Sequence, residues 1–202
     1  GRPLELAVMG SGDVAGEVRE AALSVGRAAL SDLTDKARGA ACAEALLGYL
    51  TGQGACEPMS HGEDNTHGAA IALYAHAAQL FYDDAGKVEA IKRIVEALRS
   101  VRDAGAFIGA RAIGNLAADV REAAIAMLGE LKSKALTGAD IAERRQGAAA
   151  MAGICKGVGV AALADLHVVD EIKKAIEDKK DPVARAGALL TYAHMCRTAG
   201  RG

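Results

Sequence analysis

The residues of this chain that could bind a cofactor begin with a short glycine motif. Gly10, Gly12 and Ala15 fit the G-x-G-x-x-G/A pattern that holds a dinucleotide pyrophosphate, and the apolar residues 4–9 precede them. Asp32 lies near the distance at which an acidic residue contacts the ribose. A dinucleotide-binding fold also needs further strands, and no Val- and Ile-rich run bounded by turns follows. We interpret the motif as a turn between helices and residues 4–9 as a strand or the end of a helix.

Histidine and cysteine are the side chains that could ligate zinc. Cys56, His61 and His67 lie close together in the sequence, with His76 nearby, but their spacing matches no zinc-ligand pattern. The four cysteines form no C-x-x-C pair, which indicates free thiols. The chain also lacks an H-E-x-x-H, G-x-S-x-G or Walker A motif. The sequence therefore predicts no enzyme activity, no cofactor, no metal and no small-molecule substrate.

Basic side chains could bind an anionic partner, and they concentrate in the second half of the chain. Residues 1–100 hold 9 basic and 14 acidic side chains (−5), whereas residues 101–202 hold 15 and 12 (+3), which together give the net charge of −2. Such an excess favours contact with phosphate or an acidic protein surface. The candidate contacts are Arg144, Arg145, Lys156, Lys173, Lys174, Lys179, Lys180 and Arg185.

A repeated small-residue helix is expected to position these cations. In residues 140–159, Asp140 and Glu143 form a capping box, a Gly-Ala pair at 147–148 leaves room for a close neighbour, and Gly157 with Gly159 ends the helix. Equivalent Gly-Ala pairs occur at 68–69, 109–110 and 187–188, at intervals of 41, 38 and 40 residues. This period is that of two-helix HEAT or armadillo repeats, about 40 to 47 residues. Gly147 and Gly187 are therefore predicted to be packing residues, each crossed by the next helix.

The repeats predict an all-α fold, an α-solenoid of antiparallel helix pairs in a right-handed superhelix. We expect four pairs, each with an outer helix and a small-residue inner helix, after a partial unit at the start. The outer helix at residues 87–100 is cleanly amphipathic. Residues 52–63 are rich in glycine and predict a flexible insertion. We expect residues 1–202 to form a single HEAT-repeat segment of a longer solenoid. Equivalent turns of a solenoid line up, so the cations would share one edge. With 51% hydrophobic and 25% charged residues and no long apolar run, we expect a cytoplasmic protein without a membrane span.

The repeat motifs resemble a known family. Residues 143–159 are similar to the E-R-R-G-A-A-x-x-L-A-G-x-x-K-G-x-G stretch of the HEAT-repeat translational activators of general amino-acid control, with Gln146 as one extra residue. Residues 83–88 and 94–98 resemble the family's D-D-P-K-V and L-L-E-A-L segments, and residues 177–180 with 185–189 resemble D-x-K-x and R-x-G-A-L. The likeness is collinear over about residues 13 to 200 and strongest from residue 81.

The resemblance implies a function that composition alone does not. These proteins activate the kinase of initiation factor two alpha, and the matching segment lies at the entry to their region similar to elongation factor three. That region implies association with the ribosome and with an ATP-binding-cassette partner, whereas kinase-binding repeats would lie beyond residue 202. The alternatives are the HEAT domain of elongation factor three, then a generic HEAT scaffold for transport or phosphatase assembly, and last a dinucleotide-binding enzyme.

Overall fold

The computed structural model describes residues 2–51, 64–159 and 166–199, and these residues fold almost entirely as α-helix. No strand occurs in these ranges, which confirms the all-α prediction. The predicted insertion at 52–63 lies outside them. The helices are α1 (Arg2–Gly10), α2 (Gly16–Ser31), α3 (Lys36–Thr51), α4 (Asp64–Phe81), α5 (Asp84–Ala97), α6 (Asp103–Asp119), α7 (Arg121–Thr137), α8 (Ile141–Val158), α9 (Val168–Glu177) and α10 (Pro182–Ala199).

Aspartate caps set several of the helix starts. The Asp140 carboxylate accepts the Glu143 N–H at 2.7 Å, and the Glu143 carboxylate accepts the Ala139 N–H at 2.8 Å, so the predicted capping box forms one residue wider than expected. Asp181 followed by Pro182 predicts a helix start, because proline is best tolerated at the first helical position. Helix α10 does begin at Pro182, and the Asp181 carboxylate accepts two N–H groups in its first turn. Gly159 ends α8 with φ of 83°.

Residues 4–9, which the sequence left open between a strand and the end of a helix, belong to α1. The strand that a dinucleotide-binding motif requires is therefore absent there. The run Asp83 to Gly86 predicts a break before a helix that starts at Lys87. This prediction is wrong: α5 begins at Asp84, because the Asp83 carboxylate accepts the Gly86 N–H at 2.8 Å and caps the helix earlier.

The helices stack as outer–inner pairs. Within the described residues the pairs are α3–α4, α5–α6, α7–α8 and α9–α10, preceded by α1–α2, as the repeat pattern predicts. The inner helices α4, α6, α8 and α10 pack side by side in chain order, and each outer helix covers the neighbouring inner ones. Large apolar side chains fill the space between the layers; the fully buried ones include Leu46, Tyr74, Ile91, Ile113 and Ile154. This arrangement confirms a HEAT-like solenoid.

Glycine allows the closest helix approaches. A Cβ at Gly147 would lie 2.6 Å from the Ala135 backbone nitrogen, and one at Gly187 would overlap the Ala135 carbonyl oxygen. Both glycines are therefore packing residues, as predicted. The crossing helix is α7 in both cases and not the next helix along, because the end of α7 lies between α8 and α10. Gly153 and Gly157 similarly bring α8 against the backbone of α6.

Candidate functional site

Five of the predicted cations form an exposed set around the start of α10. They have no ion pair or side-chain hydrogen bond among the residues that the structure describes. We call this set the basic edge, and it consists of Lys173, Lys174, Lys179, Lys180 and Arg185.

The strong amphipathicity of α9 positions its two lysines. Val168 and Ile172 are 5% and 1% exposed and face the core, and Val169 and Ile176 pack partly against it. Lys173 and Lys174 therefore point away from the core, since a helix turns about 100° per residue. Asp178 ends the helix, and the following turn carries Lys179 and Lys180 into α10.

Carboxylates are interleaved with the basic edge, but most have other partners. Asp178 accepts the Lys180 backbone N–H at 2.8 Å, and Asp181 accepts the N–H groups of Val183 and Ala184 at 3.1 and 2.9 Å. Glu171 pairs with Lys132 of α7. These carboxylates are held by backbone donors or by a neighbouring helix, so the five cationic heads remain available for an external anion.

The α7–α8 turn and the start of α10 lie on the same side of the solenoid. Ala135, near the end of α7, contacts both Gly147 near the start of α8 and Gly187 near the start of α10. At the other end, the Lys156 ammonium reaches the Thr198 carbonyl oxygen at 2.8 Å. Helices α8 and α10 therefore run in the same direction. Their preceding turns meet at one edge, as the repeat pattern predicts.

The other three candidates lie apart from the basic edge or have partners of their own. Arg144 is half-buried and donates through Nη1 to the Gly138 carbonyl at 2.8 Å, which ties it to the α7–α8 turn. Lys156 is twelve residues further along α8, or about 18 Å, and it caps the end of α10. Arg145 turns away into a cleft between inner helices. The sequence could not separate these roles because the partners are distant in the chain.

The alternative sites that the sequence raised have ordinary surroundings. In the glycine turn, Asp13 accepts the Ala15 N–H at 2.8 Å and Arg19 donates to the carbonyls of Asp13 and Val14, so the segment is a turn between α1 and α2, as interpreted. His76 contacts the Ser31 hydroxyl at 3.2 Å. Among the described residues, no three His, Cys, Asp or Glu side chains converge as metal ligands, and Cys56 and His61 lie outside them.

No helix in residues 2–51, 64–159 and 166–199 combines the length and the apolar character that crossing a bilayer requires.

Comparison with known proteins gives partial matches. The chain is 42% identical over 60 residues to the "eIF-2-alpha kinase activator GCN1" of Dictyostelium discoideum, which covers 30% of this chain and 2% of that protein. It is 32% identical over 82 residues to the human "Stalled ribosome sensor GCN1", which covers 41% of this chain and 3% of that protein. It is 25% identical over 134 residues to "Protein ILITYHIA" of Arabidopsis thaliana, which covers 66% of this chain and 5% of that protein.

The chain therefore spans only a few per cent of the length of these relatives. No protein-family model matches it, and no solved structure matches it significantly. Its helical-repeat fold and these partial identities agree with the family resemblance read from its motifs; which region of those proteins it corresponds to stays a prediction. Over part of its length, this chain is similar to GCN1 proteins.

Proposed function

We propose that the chain is a non-catalytic scaffold segment of a cytoplasmic, ribosome-associated translational regulator, and that the basic edge contacts phosphate groups of ribosomal RNA. The observation that carries this proposal is the basic edge itself: five exposed cations follow one another from α9 into the start of α10, and none has an ion pair or side-chain hydrogen bond within the described residues. Contacts of this kind position a protein on RNA without reading its sequence.

The names of the relatives supply the biological setting. Proteins called a stalled ribosome sensor and an activator of the eIF-2-alpha kinase share partial identity with this chain. We infer that the segment helps a larger regulator lie along the ribosome, so that kinase activation under amino-acid starvation and contact with an ATP-binding-cassette partner take place through other regions. The HEAT domain of elongation factor three and a generic HEAT scaffold remain the alternatives.

Co-sedimentation with purified ribosomes across a salt series tests the proposal. The edge variant carries Lys173→Gln, Lys174→Gln and Lys179→Gln. Each phosphate contact contributes about 0.7 to 0.9 to the magnitude of the slope of log K against log salt, so losing three should lower that magnitude by about 2 to 3. A contact with an acidic protein surface would decline more gently with salt, which separates the two kinds of partner.

The matched control removes three exposed cations from the first half of the chain, Arg27→Gln, Lys36→Gln and Arg38→Gln. It changes the net charge by the same amount as the edge variant. We expect the control to bind ribosomes like the parent. Equal weakening by both variants would mean that net charge and not the basic edge drives binding, and no weakening by either would place the contact elsewhere.

A further inference from the structure

A second set of basic side chains lies on the inner helices, away from the basic edge. Arg145 and Arg197 both line a recess of about 180 Å³ between α6, α8 and α10. We call it the arginine cleft. Its walls are formed by Asp103, Arg145, Leu190, Ala193, His194 and Arg197.

His194 contributes a buried imidazole to the wall of the cleft. The residue is 8% exposed, and its Nδ1 atom has no hydrogen-bond partner among the described residues. Buried polar nitrogen atoms are normally paired, because leaving one unpaired costs about 1 to 3 kcal/mol. Burial lowers the pKa of His194, and Arg197 and Arg145 lower it further, whereas Asp103 of α6 acts in the opposite direction. The imidazole is thus kept neutral beside two cations.

One guanidinium group of the cleft, that of Arg197, stacks on an aromatic ring. Phe107 of α6 has the Arg197 guanidinium 4.7 Å from its ring centroid and that of Arg111 at 5.9 Å. Arg111, Arg145 and Arg197 have no ion pair in the part of the chain that the structure describes. Stacking fixes the plane of a guanidinium and leaves its N–H edge free, the edge that matches a carboxylate.

We propose that the arginine cleft binds a carboxylate side chain of an extended acidic segment of a partner protein. Three features favour this ligand over RNA. The recess holds one small anionic group but is below the roughly 300 to 1,000 Å³ of sites that enclose larger ligands. Leu190 and Ala193 in its wall suit the apolar parts of a peptide. Asp103 beside the arginines repels a continuous phosphate backbone more than a single carboxylate.

The inner-helix location fits a peptide as well. Solenoid repeats present extended surfaces along their inner helices, and α6, α8 and α10 all contribute to this one. A carboxylate placed between Arg145 and Arg197 would also lie close to the His194 imidazole, which is part of the same wall. It would raise the pKa of that histidine, so the affinity should increase as the pH falls.

Fluorescence anisotropy tests the proposal on the whole chain. The probe is a fluorescein-labelled peptide in which Glu alternates with Leu and Ser, and the matched probe has Gln at every Glu position. We expect the acidic peptide to bind and the Gln peptide to bind at least about tenfold more weakly. The double variant Arg145→Gln, Arg197→Gln should weaken binding of the acidic peptide by about tenfold, while Lys36→Gln, Arg38→Gln should leave it unchanged.

Asp103→Asn provides the sharpest variant because it should improve binding. Removing the carboxylate that repels the ligand is expected to increase the affinity for the acidic peptide by about two- to threefold. A purely structural role of Asp103 would not produce this increase. In NMR spectra the His194 ring signals should shift with the acidic peptide, and the apparent pKa of His194 should rise.

Two results would overturn the proposal. If an oligouridylate competes with the peptide at this cleft and binds more tightly than the peptide, the cleft is a phosphate site. The absence of any peptide-dependent shift of His194, or equal binding of the Glu and Gln peptides, would mean that the cleft takes no carboxylate. The cleft variants are expected to bind ribosomes like the parent. Failure of the peptide-binding test can therefore be distinguished from failure of the ribosome-binding test of the basic edge.

Discussion

At the scale of single residues, side chains that the repeat pattern left unexplained have defined partners. Gln146, the extra residue relative to the family motif, is buried, and its Nε2 donates to the Val95 carbonyl at 2.6 Å. Val95 belongs to α5, just before that helix ends in the 3₁₀ turn Leu98–Ser100. Gln146 therefore joins α8 to the outer helix of the previous pair. No local sequence signal could predict this bond, since its partners are 51 residues apart.

The cysteines should differ in reactivity. Cys155 is 4% exposed in α8, and burial raises the pKa of its thiol to about 12, whereas Cys196 is exposed. Because the thiolate is the reactive form, iodoacetamide at about pH 8 should label Cys196 and leave Cys155 unmodified in the folded protein. Peptide mapping by mass spectrometry measures both sites. Labelling in denaturant is the control and should reach Cys155 too; equal labelling of the two cysteines in the folded protein would contradict their placement.

At the scale of helices, the sequence predicted the ends of the helices better than the contacts between helices that cross. The Gly-Ala pairs identified the inner helices, and the capping box of Asp140 and Glu143 identified the start of α8. They did not identify Gly153 and Gly157 as the contact with α6, because a glycine near a helix end also predicts termination, which is how Gly157 was interpreted. The helix that crosses Gly187 was assigned wrongly for a related reason: spacing shows that a neighbour is close, but not which neighbour.

Substitution of Gly187 tests the crossing directly. Gly187→Ala places a methyl group against the Ala135 carbonyl of α7, so the backbone must move, and we expect a loss of about 1 to 3 kcal/mol of unfolding free energy. Gly129→Ala in α7 is the matched control: nothing lies within 4 Å of its Cβ, and a helical Ala should stabilise by about 0.5 to 1 kcal/mol. Urea denaturation followed by circular dichroism measures both. An unchanged midpoint for Gly187→Ala would contradict the close approach.

At the scale of the whole molecule, the sequence predicted the architecture more completely than the site. The alternation of amphipathic and small-residue helices predicted which helices form the outer layer and which form the inner layer. The separation of Arg144, Arg145 and Lys156 from the basic edge depends on carbonyls and helices that meet only in the folded chain. Charge content identified the half of the molecule that carries basic surfaces, but it could not show that they form two.

The central claim is that the basic edge faces ribosomal RNA, and site-specific photo-crosslinking tests it most directly. A benzophenone amino acid at Lys180 of the edge, or at Lys36 as the control, is irradiated with the chain bound to ribosomes. We expect RNA crosslinks from position 180 and few from position 36, with the crosslinks from 180 lost at high salt. Crosslinks from position 180 to protein alone, or stronger RNA crosslinking from position 36, would contradict the claim.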